Sequence, residues 1–322
     1  MKIIEKPVIN NPESLTHYYA AYRKALCEQR PQLSEILING EARFVKKFSE
    51  LSEQFDLILF DAFGVLNRGS EIIDGAAETI QFLQKKQKPF LVVSNNASQS
   101  PIKLEKRFAD IGMSIPESTI IASGMTVQPY VAQSELKGRP YLLIGTDDSR
   151  NFYAPDPEKL MVGAGDNGLK WSDAEYIIAC SNRDYYATEQ GDQVEYLVKQ
   201  KGVPVLLANP DMIAPGEGDS VYAVMGYTVS ILAEQATFPI IGLGKPYPAI
   251  FELATARFPD IHPERILMVG DTLDTDILGG SAMGFKTCLT LSGVYAGKKD
   301  QLENLYQVRG IRPDYVVDSI AG

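Results

Sequence analysis

Histidine and cysteine are scarce in this chain, and their scarcity removes whole classes of chemistry. His17 and His262 are the two histidines in 322 residues. Histidine-based catalysis is therefore nearly excluded unless one of those two reaches the site. The three cysteines, Cys27, Cys180 and Cys288, are odd in number and far apart. They make neither a zinc spacing nor a disulfide framework, and they fit a reducing, cytoplasmic compartment. No apolar run approaches the ~20 residues of a membrane helix. Met1 to Pro7 lacks the apolar segment of a signal peptide. A cationic surface is missing too: the formal net charge is -10, which disfavours nucleic acid as a partner. That acidity fits carboxylates holding a divalent cation, and it fits an acidic solvated surface equally well. No internal repeat, low-complexity tract or long Gly/Ser linker is visible.

What is present is alternation of strand and helix patterns. Residues 1 to about 50 read as a helical N-terminal extension packed on the core. Ser14–Arg30 and Gly40–Phe55 are expected to be helical, with Pro31 separating them. From Leu57 the apolar runs Leu57–Phe60, Phe90–Val93 and Ile120–Ala122 predict strands. The helical stretches Ala76–Lys86, Ile102–Asp110 and Thr126–Glu135 go with them. A second series follows, with strands Tyr141–Ile144, Tyr176–Ala179 and Val205–Ala208 and a helix over Gln190–Lys201. The first series then resumes with Ile266–Val269 and Thr287–Leu291. The expected fold class is α/β, a doubly wound parallel-sheet core in two parts, 51–138 and 241–322. An α/β domain over 139–240 is inserted between them.

Four short segments carry chemistry. Asp61-Ala62-Phe63-Gly64-Val65 follows a buried-strand pattern and places a carboxylate at a strand's C-terminal end. Taken alone, such an aspartate is usually a solvated loop residue. In Val92-Val93-Ser94-Asn95-Asn96-Ala97-Ser98, a hydroxyl and turn amides are suited to cradling phosphate oxygens, although Ser-Asn-Asn is more often an ordinary turn. Gly242-Leu243-Gly244-Lys245-Pro246-Tyr247-Pro248 offers Lys245 as a cation for an anionic substrate, or else is a surface turn. It is not a P-loop, because the spacing is wrong and proline follows the lysine, and Gly293–Lys298 is one residue short of one. Met268-Val269-Gly270-Asp271-Thr272-Leu273-Asp274-Thr275-Asp276 is an apolar strand ending in Gly-Asp, with a further aspartate five residues on. Hard oxygen ligands of this kind suit Mg²⁺; the bland alternative is an aspartate-rich helix N-terminus.

In this order, with an α/β insertion between the second and third, the four segments resemble the haloacid dehalogenase (HAD) superfamily. The insertion point resembles subclass IIA, which holds nucleotide, p-nitrophenyl-phosphate, pyridoxal-phosphate, phosphoglycolate and sugar phosphatases. Ala122-Ser123-Gly124, Ala208-Asn209-Pro210-Asp211 and Leu289-Thr290-Leu291-Ser292-Gly293-Val294 extend the likeness over roughly residues 55 to 320. The resemblance implies Asp61 as the nucleophile that forms an aspartyl phosphate, with Lys245 as its cationic partner. It implies Mg²⁺ held by Asp61, the Phe63 backbone carbonyl, Asp271 and Asp276. It implies phosphate and substrate contacts from Ser94, Asn95, Asn96 and Lys245, with Asn209, Asp211 and Arg183 as candidates in the cap. The implied partner is a small phosphorylated metabolite, and two copies are expected to pair through their caps.

One position departs from the family pattern. Where phosphatases of the family carry a second aspartate as general acid/base, this chain has Phe63. Loss of that function typically costs ~10²–10⁴ in rate. Three readings stay open. The first is a weakened Mg²⁺-dependent phosphatase, helped by water, substrate or a cap carboxylate such as Asp211. The second is a phospho-ligand binding protein with vestigial catalysis. The third is a metal-independent dehalogenase-like hydrolase, since those enzymes carry Asp-Ala-Tyr-Gly where this chain has Asp-Ala-Phe-Gly.

Overall fold

Strand order locates the chemistry before any side chain is considered. The computed structural model describes residues 15–38, 40–160, 170–182, 185, 190–215 and 221–321. The strands run in chain order as β1 (Arg43–Phe44), β2 (Leu57–Phe60), β3 (Asn67–Arg68), β4 (Glu71–Ile72), β5 (Phe90–Ser94) and β6 (Ile120–Ala122). Next come β7 (Tyr141–Ile144), β8 (Tyr176–Ala179), β9 (Val205–Leu207), β10 (Ile213–Pro215), β11 (Val221–Ala223) and β12 (Ile240–Gly242). The chain closes with β13 (Ile266–Gly270), β14 (Lys286–Thr290) and β15 (Tyr315–Val317).

The main sheet has seven strands in the order β1-β15-β14-β13-β2-β5-β6. From β2 the chain winds outward through β5 and β6, and from β13 it winds the other way through β14 and β15. The reversal therefore falls between β2 and β13, which pair in parallel with Val269 opposite Phe60. In doubly wound sheets such a switch point opens a crevice at the strands' carboxyl ends. All residues of β2 and β13 are buried, which is why both read as unbroken apolar runs rather than alternating ones.

Two compact units divide the chain. One takes in the described parts of residues 13–94, 101–121 and 245–322 and carries most of the seven-stranded sheet. The other takes in 95–100 and 122–244. It carries the four-stranded parallel sheet β12-β9-β8-β7 and the hairpin β10-β11. Its own core gathers Leu142, Ile177, Leu197, Val205 and Val229.

The N-terminal segment corrects one expectation. Helices form at Thr16–Gln29 and Leu33–Ile38, on either side of Pro31. Gly40–Phe55 is not one helix: Arg43–Phe44 is the edge strand β1, and the helix is confined to Phe48–Ser52. The Arg43 amide donates to Asp314 O at 2.9 Å and the Val45 amide to Val316 O at 2.8 Å. Pairing with an exposed sheet edge outweighs a weak local helix preference at Phe44 and Val45. Tyr19, Tyr22, Leu26, Leu37, Phe48 and Leu51 are buried, so the described part of the extension is packed into this unit. Among the described residues no helix is long and apolar enough to cross a membrane.

Candidate active site

Asp61 leaves β2 and Asp271 leaves β13, one on each side of the switch point. The Asp61 amide continues the ladder by donating to Val269 O at 2.8 Å, which sets the two carboxylates side by side. After Asp61 the chain turns tightly: the amides of Leu66 and Asn67 both donate to Ala62 O, and the Gly64 amide donates to Asn67 O. Gly64 adopts φ +77, and a Cβ there would lie 2.0 Å from Asp271 Oδ2. Both the backbone angle and the space demand glycine.

The third carboxylate comes from the turn after β13. Asp276 Oδ2 accepts from the Thr272 amide at 3.2 Å. Lys245 is drawn into the same place. Its Nζ lies 2.6 Å from Asp61 Oδ1 and 2.7 Å from Asp276 Oδ1, with the lysine side chain 2% exposed. That second contact is a close ion pair, and Asp276 Oδ1 has no donor besides Lys245 among the described residues. Oxygens of Asp61, Asp271 and Asp276 all lie within 4.8 Å of one another. When all are ionised, the ammonium leaves two negative charges uncompensated in a buried place.

Electrostatics follow from that imbalance. Burial, and then the charge of Asp61, pushes the Asp271 carboxyl up to about 7, against the Val294 amide, the Thr272 hydroxyl and Lys245. Burial pushes Asp276 well above the ordinary carboxylate range, with Lys245 opposing. A divalent cation supplies the missing charge, and an all-oxygen, hard ligand set is what Mg²⁺ or Ca²⁺ takes. The residues fit such an ion. A consequence is measurable. The Asp271 carboxyl ordinarily titrates near 3.8 and here near 7. Its protonated form therefore stabilises the metal-free fold at low pH, and that contribution is lost as pH rises through this interval. The thermal midpoint of EDTA-treated protein is expected to fall between about pH 4 and about pH 7. The stabilisation given by Mg²⁺ is expected to grow over the same range, reaching about 2.7 kcal/mol at a hundredfold excess over Kd. Calorimetry with and without Mg²⁺ checks both, and a Mg²⁺ effect independent of pH would exclude these carboxylates as ligands.

Phe63 lies in the turn after Asp61, half-buried, with the Arg107 guanidinium 4.7 Å from its ring centroid. Arg107 also donates to Gly69 O at 2.9 Å. A ring capped by a cation thus stands two residues after Asp61, and nothing in the sequence of the helix Pro101–Asp110 distinguishes Arg107 from a surface arginine. Ser292, Gly293 and Val294 are a second group whose role the sequence left open. The Val294 amide donates to Asp271 Oδ2 at 2.9 Å and Ser292 Oγ to Gly64 O at 2.7 Å. A Cβ on Gly293 would come within 1.9 Å of Asp271 Oδ2. The segment after β14 is therefore a clamp on Asp271.

Of the other predicted residues, Ser94 ends β5 and is buried. Asn95, Asn96, Asn209 and Asp211 belong to the second unit. There Asn95 Nδ2 donates to Asp211 Oδ1 at 2.8 Å. Asn96 Oδ1 accepts from the amides of Ser98 and Gln99, and Asn209 Oδ1 accepts from the Asp211 amide at 3.1 Å. Asn96 and Asn209 thus hold turns. Arg183 lies outside the described residues. His262 caps the short helix Pro263–Arg265 by accepting from the Glu264 amide. The buried thiol of Cys180 is pushed up to about 12, and that of Cys288 is also raised. Neither is a nucleophile at neutral pH.

A family model for haloacid dehalogenase-like hydrolases matches residues 58–154, and a second, for HAD hydrolase-like proteins, matches residues 242–322. The chain belongs to the haloacid dehalogenase-like hydrolases. The gap between the two matched segments falls within the second unit. Among relatives, glycerol-3-phosphate phosphatase of Gallus gallus is 29% identical over 83% of this chain and 90% of its own length. Phosphoglycolate phosphatase 1A of Arabidopsis thaliana is 27% identical over 84% of this chain and 77% of its own. Among solved structures, a possible sugar phosphatase of the HAD superfamily from Cytophaga hutchinsonii superposes with a TM-score of 0.75 at 26% identity. It covers 87% of this chain and 99% of its own. The hydrolase family models and the relatives named as phosphatases place this chain in the hydrolase class.

Proposed function

We propose that this hydrolase is a Mg²⁺-dependent phosphatase of a small phosphorylated metabolite, with its acid/base step weakened by Phe63. The observation that carries the reading is the buried Lys245 ammonium held between Asp61 and Asp276, beside Asp271. The names of the relatives support the phosphatase class. In this reading Asp61 attacks phosphorus, and Lys245 and the backbone amides around Ser94, Asn95 and Asn96 neutralise the phosphoryl oxygens. Asp61, Asp271, Asp276 and the Phe63 carbonyl would hold the cation, which would offset the substrate's charge. Asn209 and Asp211 contribute substrate contacts, with residues 139–240 acting as the cap.

Phe63 offers no proton to the leaving oxygen and takes none from the water that hydrolyses the aspartyl phosphate. Esters of phenols leave without strong protonation, so they are the substrates expected to turn over best. The metal-independent dehalogenase reading has no use for three carboxylates within 4.8 Å of one another. The test is hydrolysis of 4-nitrophenyl phosphate, expected with Mg²⁺ and abolished by EDTA. Tight phosphate-ester binding without turnover would favour the binding-protein reading, and halide release from a haloacid in EDTA would overturn both. Pairing of two copies through residues 139–240 belongs to the same proposal. Sedimentation velocity tests it, and a monomer at every concentration would remove it.

A further inference from the structure

Behind the turn that carries Asp271 and Asp276 lies a cavity of about 200 Å³. Its wall is the N-terminal helix Thr16–Gln29, with Thr16, Arg23 and Lys24 facing it, together with Ser34. Arg309, at the end of the helix Leu302–Arg309, forms another side, and Asp274 contributes from the turn itself. Three cations therefore line it against a single carboxylate. The helix that supplies two of the cations belongs to the segment outside the HAD resemblance.

The two arginines are positioned rather than splayed into solvent. The Arg309 side chain is 10% exposed, with its guanidinium 5.4 Å from the Tyr19 ring centroid. Its Nη1 lies 3.2 Å from Asp274 Oδ2 yet makes no hydrogen bond among the described residues. Arg23 is set against Gly310, whose φ is +62, and a Cβ there would lie 2.6 Å from Arg23 Nη1. Arg23 Nε is likewise buried without a hydrogen bond among the described residues. Lys24, whose side chain is 78% exposed, has Glu28 at 3.9 Å and stands at the rim. Two buried guanidinium nitrogens without acceptors are costly in a low-dielectric site, and an oxyanion that accepts from both relieves that cost.

We infer that this cavity is a second binding site, separate from the hydrolytic centre, for a small tetrahedral oxyanion such as inorganic phosphate or the phosphoryl group of a metabolite. Guanidinium forks match phosphoryl oxygens, and the Ser34 hydroxyl adds a neutral donor. Because Asp274 lies between Asp271 and Asp276 in sequence, an anion that draws on Arg309 also acts on the turn bearing the metal-site carboxylates. By linkage, an effect of phosphate on Mg²⁺ affinity equals the effect of Mg²⁺ on phosphate affinity.

Calorimetric titration of the full chain with inorganic phosphate in EDTA tests the inference. Without a cation, the hydrolytic centre presents three carboxylates and one ammonium and repels phosphate, so saturable binding under these conditions reports the cavity. One phosphate per chain is expected. Arg23→Gln is expected to weaken it about tenfold or more, and Lys24→Gln is expected to weaken it by less, because that ammonium is solvated. Circular dichroism of both variants confirms that they are folded. Arg309 is left intact, since its removal would strand Asp274. Competition by glycerol phosphate would assign the site to phosphoryl groups generally, and absence of competition would assign it to inorganic phosphate. No saturable binding in EDTA, or binding unchanged in a folded Arg23→Gln protein, would overturn the inference and leave the hydrolytic reading untouched.

Discussion

Phe63→Asp is expected to speed aspartyl-phosphate formation from an alkyl phosphate by ~10²-fold or more, and from an aryl phosphate far less. An alkoxide is a poor leaving group and needs a proton as the bond to phosphorus breaks, whereas a phenolate does not. The difference between the two substrates isolates the acid step. Arg107 complicates the replacement in a defined way. Its guanidinium sits 4.7 Å from the Phe63 ring centroid and stays charged at every accessible pH. A carboxylate introduced at this position is biased toward its ionised form, which suits it to activating water more than to giving a proton. Phe63→Asp combined with Arg107→Leu is therefore expected to exceed Phe63→Asp alone on the alkyl ester. The cation–π attraction that either variant removes is worth only ~0.5–1 kcal/mol, so the fold should survive. Single-turnover rates with glycerol phosphate and with 4-nitrophenyl phosphate, each with Mg²⁺, measure the effect. Equal gains on both substrates would show that protonation of the leaving group is not the deficit.

Asp61→Asn is expected to abolish turnover of every phosphate ester, by ~10⁴ or more. An amide does not attack phosphorus, and no second side chain in the site replaces the missing oxygen nucleophile. The same substitution should leave the metal-free fold intact or make it more stable. The charge of Asp61 is one of the causes that raise both Asp271 and Asp276, and Lys245 keeps Asp276 as a partner at 2.7 Å. Removing one carboxylate thus relieves repulsion without stranding the buried ammonium. Activity and thermal midpoint measured on one preparation separate the two effects. A large fall in the midpoint would mean that Asp61 is held for structure, and loss of turnover would then say little about chemistry.

The parts legible in the sequence were those where a local pattern and a global demand coincide. β2, β5 and β13 are buried on both faces, so each is an apolar run ending in a polar residue, and Asp61, Ser94 and Asp271 stood out at or just beyond their ends. Several short strands carried no such signal. β1 and β12 are two and three residues long and exist because neighbouring strands offer ladder partners. The hairpins β3-β4 and β10-β11 were invisible for the same reason. Within the site, the carboxylates and Lys245 could be found from their motifs. The clamp on Asp271 could not be assigned a role, because Ser292, Gly293 and Val294 act through a slot whose other wall is Gly64. Arg107 is the hardest case: only the fold brings it over Phe63, and an arginine on an amphipathic helix gives no hint of that.

Phe63 has a kinetic consequence beyond slow turnover. With no carboxylate to take a proton from water, hydrolysis of the aspartyl phosphate becomes the slow step for a substrate whose leaving group departs easily. The intermediate should then accumulate. The direct measurement is rapid mixing of wild-type protein with 4-nitrophenyl phosphate and Mg²⁺, followed by acid quench and mass analysis of the peptide containing Asp61. A burst of nitrophenol approaching one per chain, with a phosphoryl group on Asp61, is the predicted result. Steady turnover with no burst, or a phosphoryl group on any other residue, would contradict it.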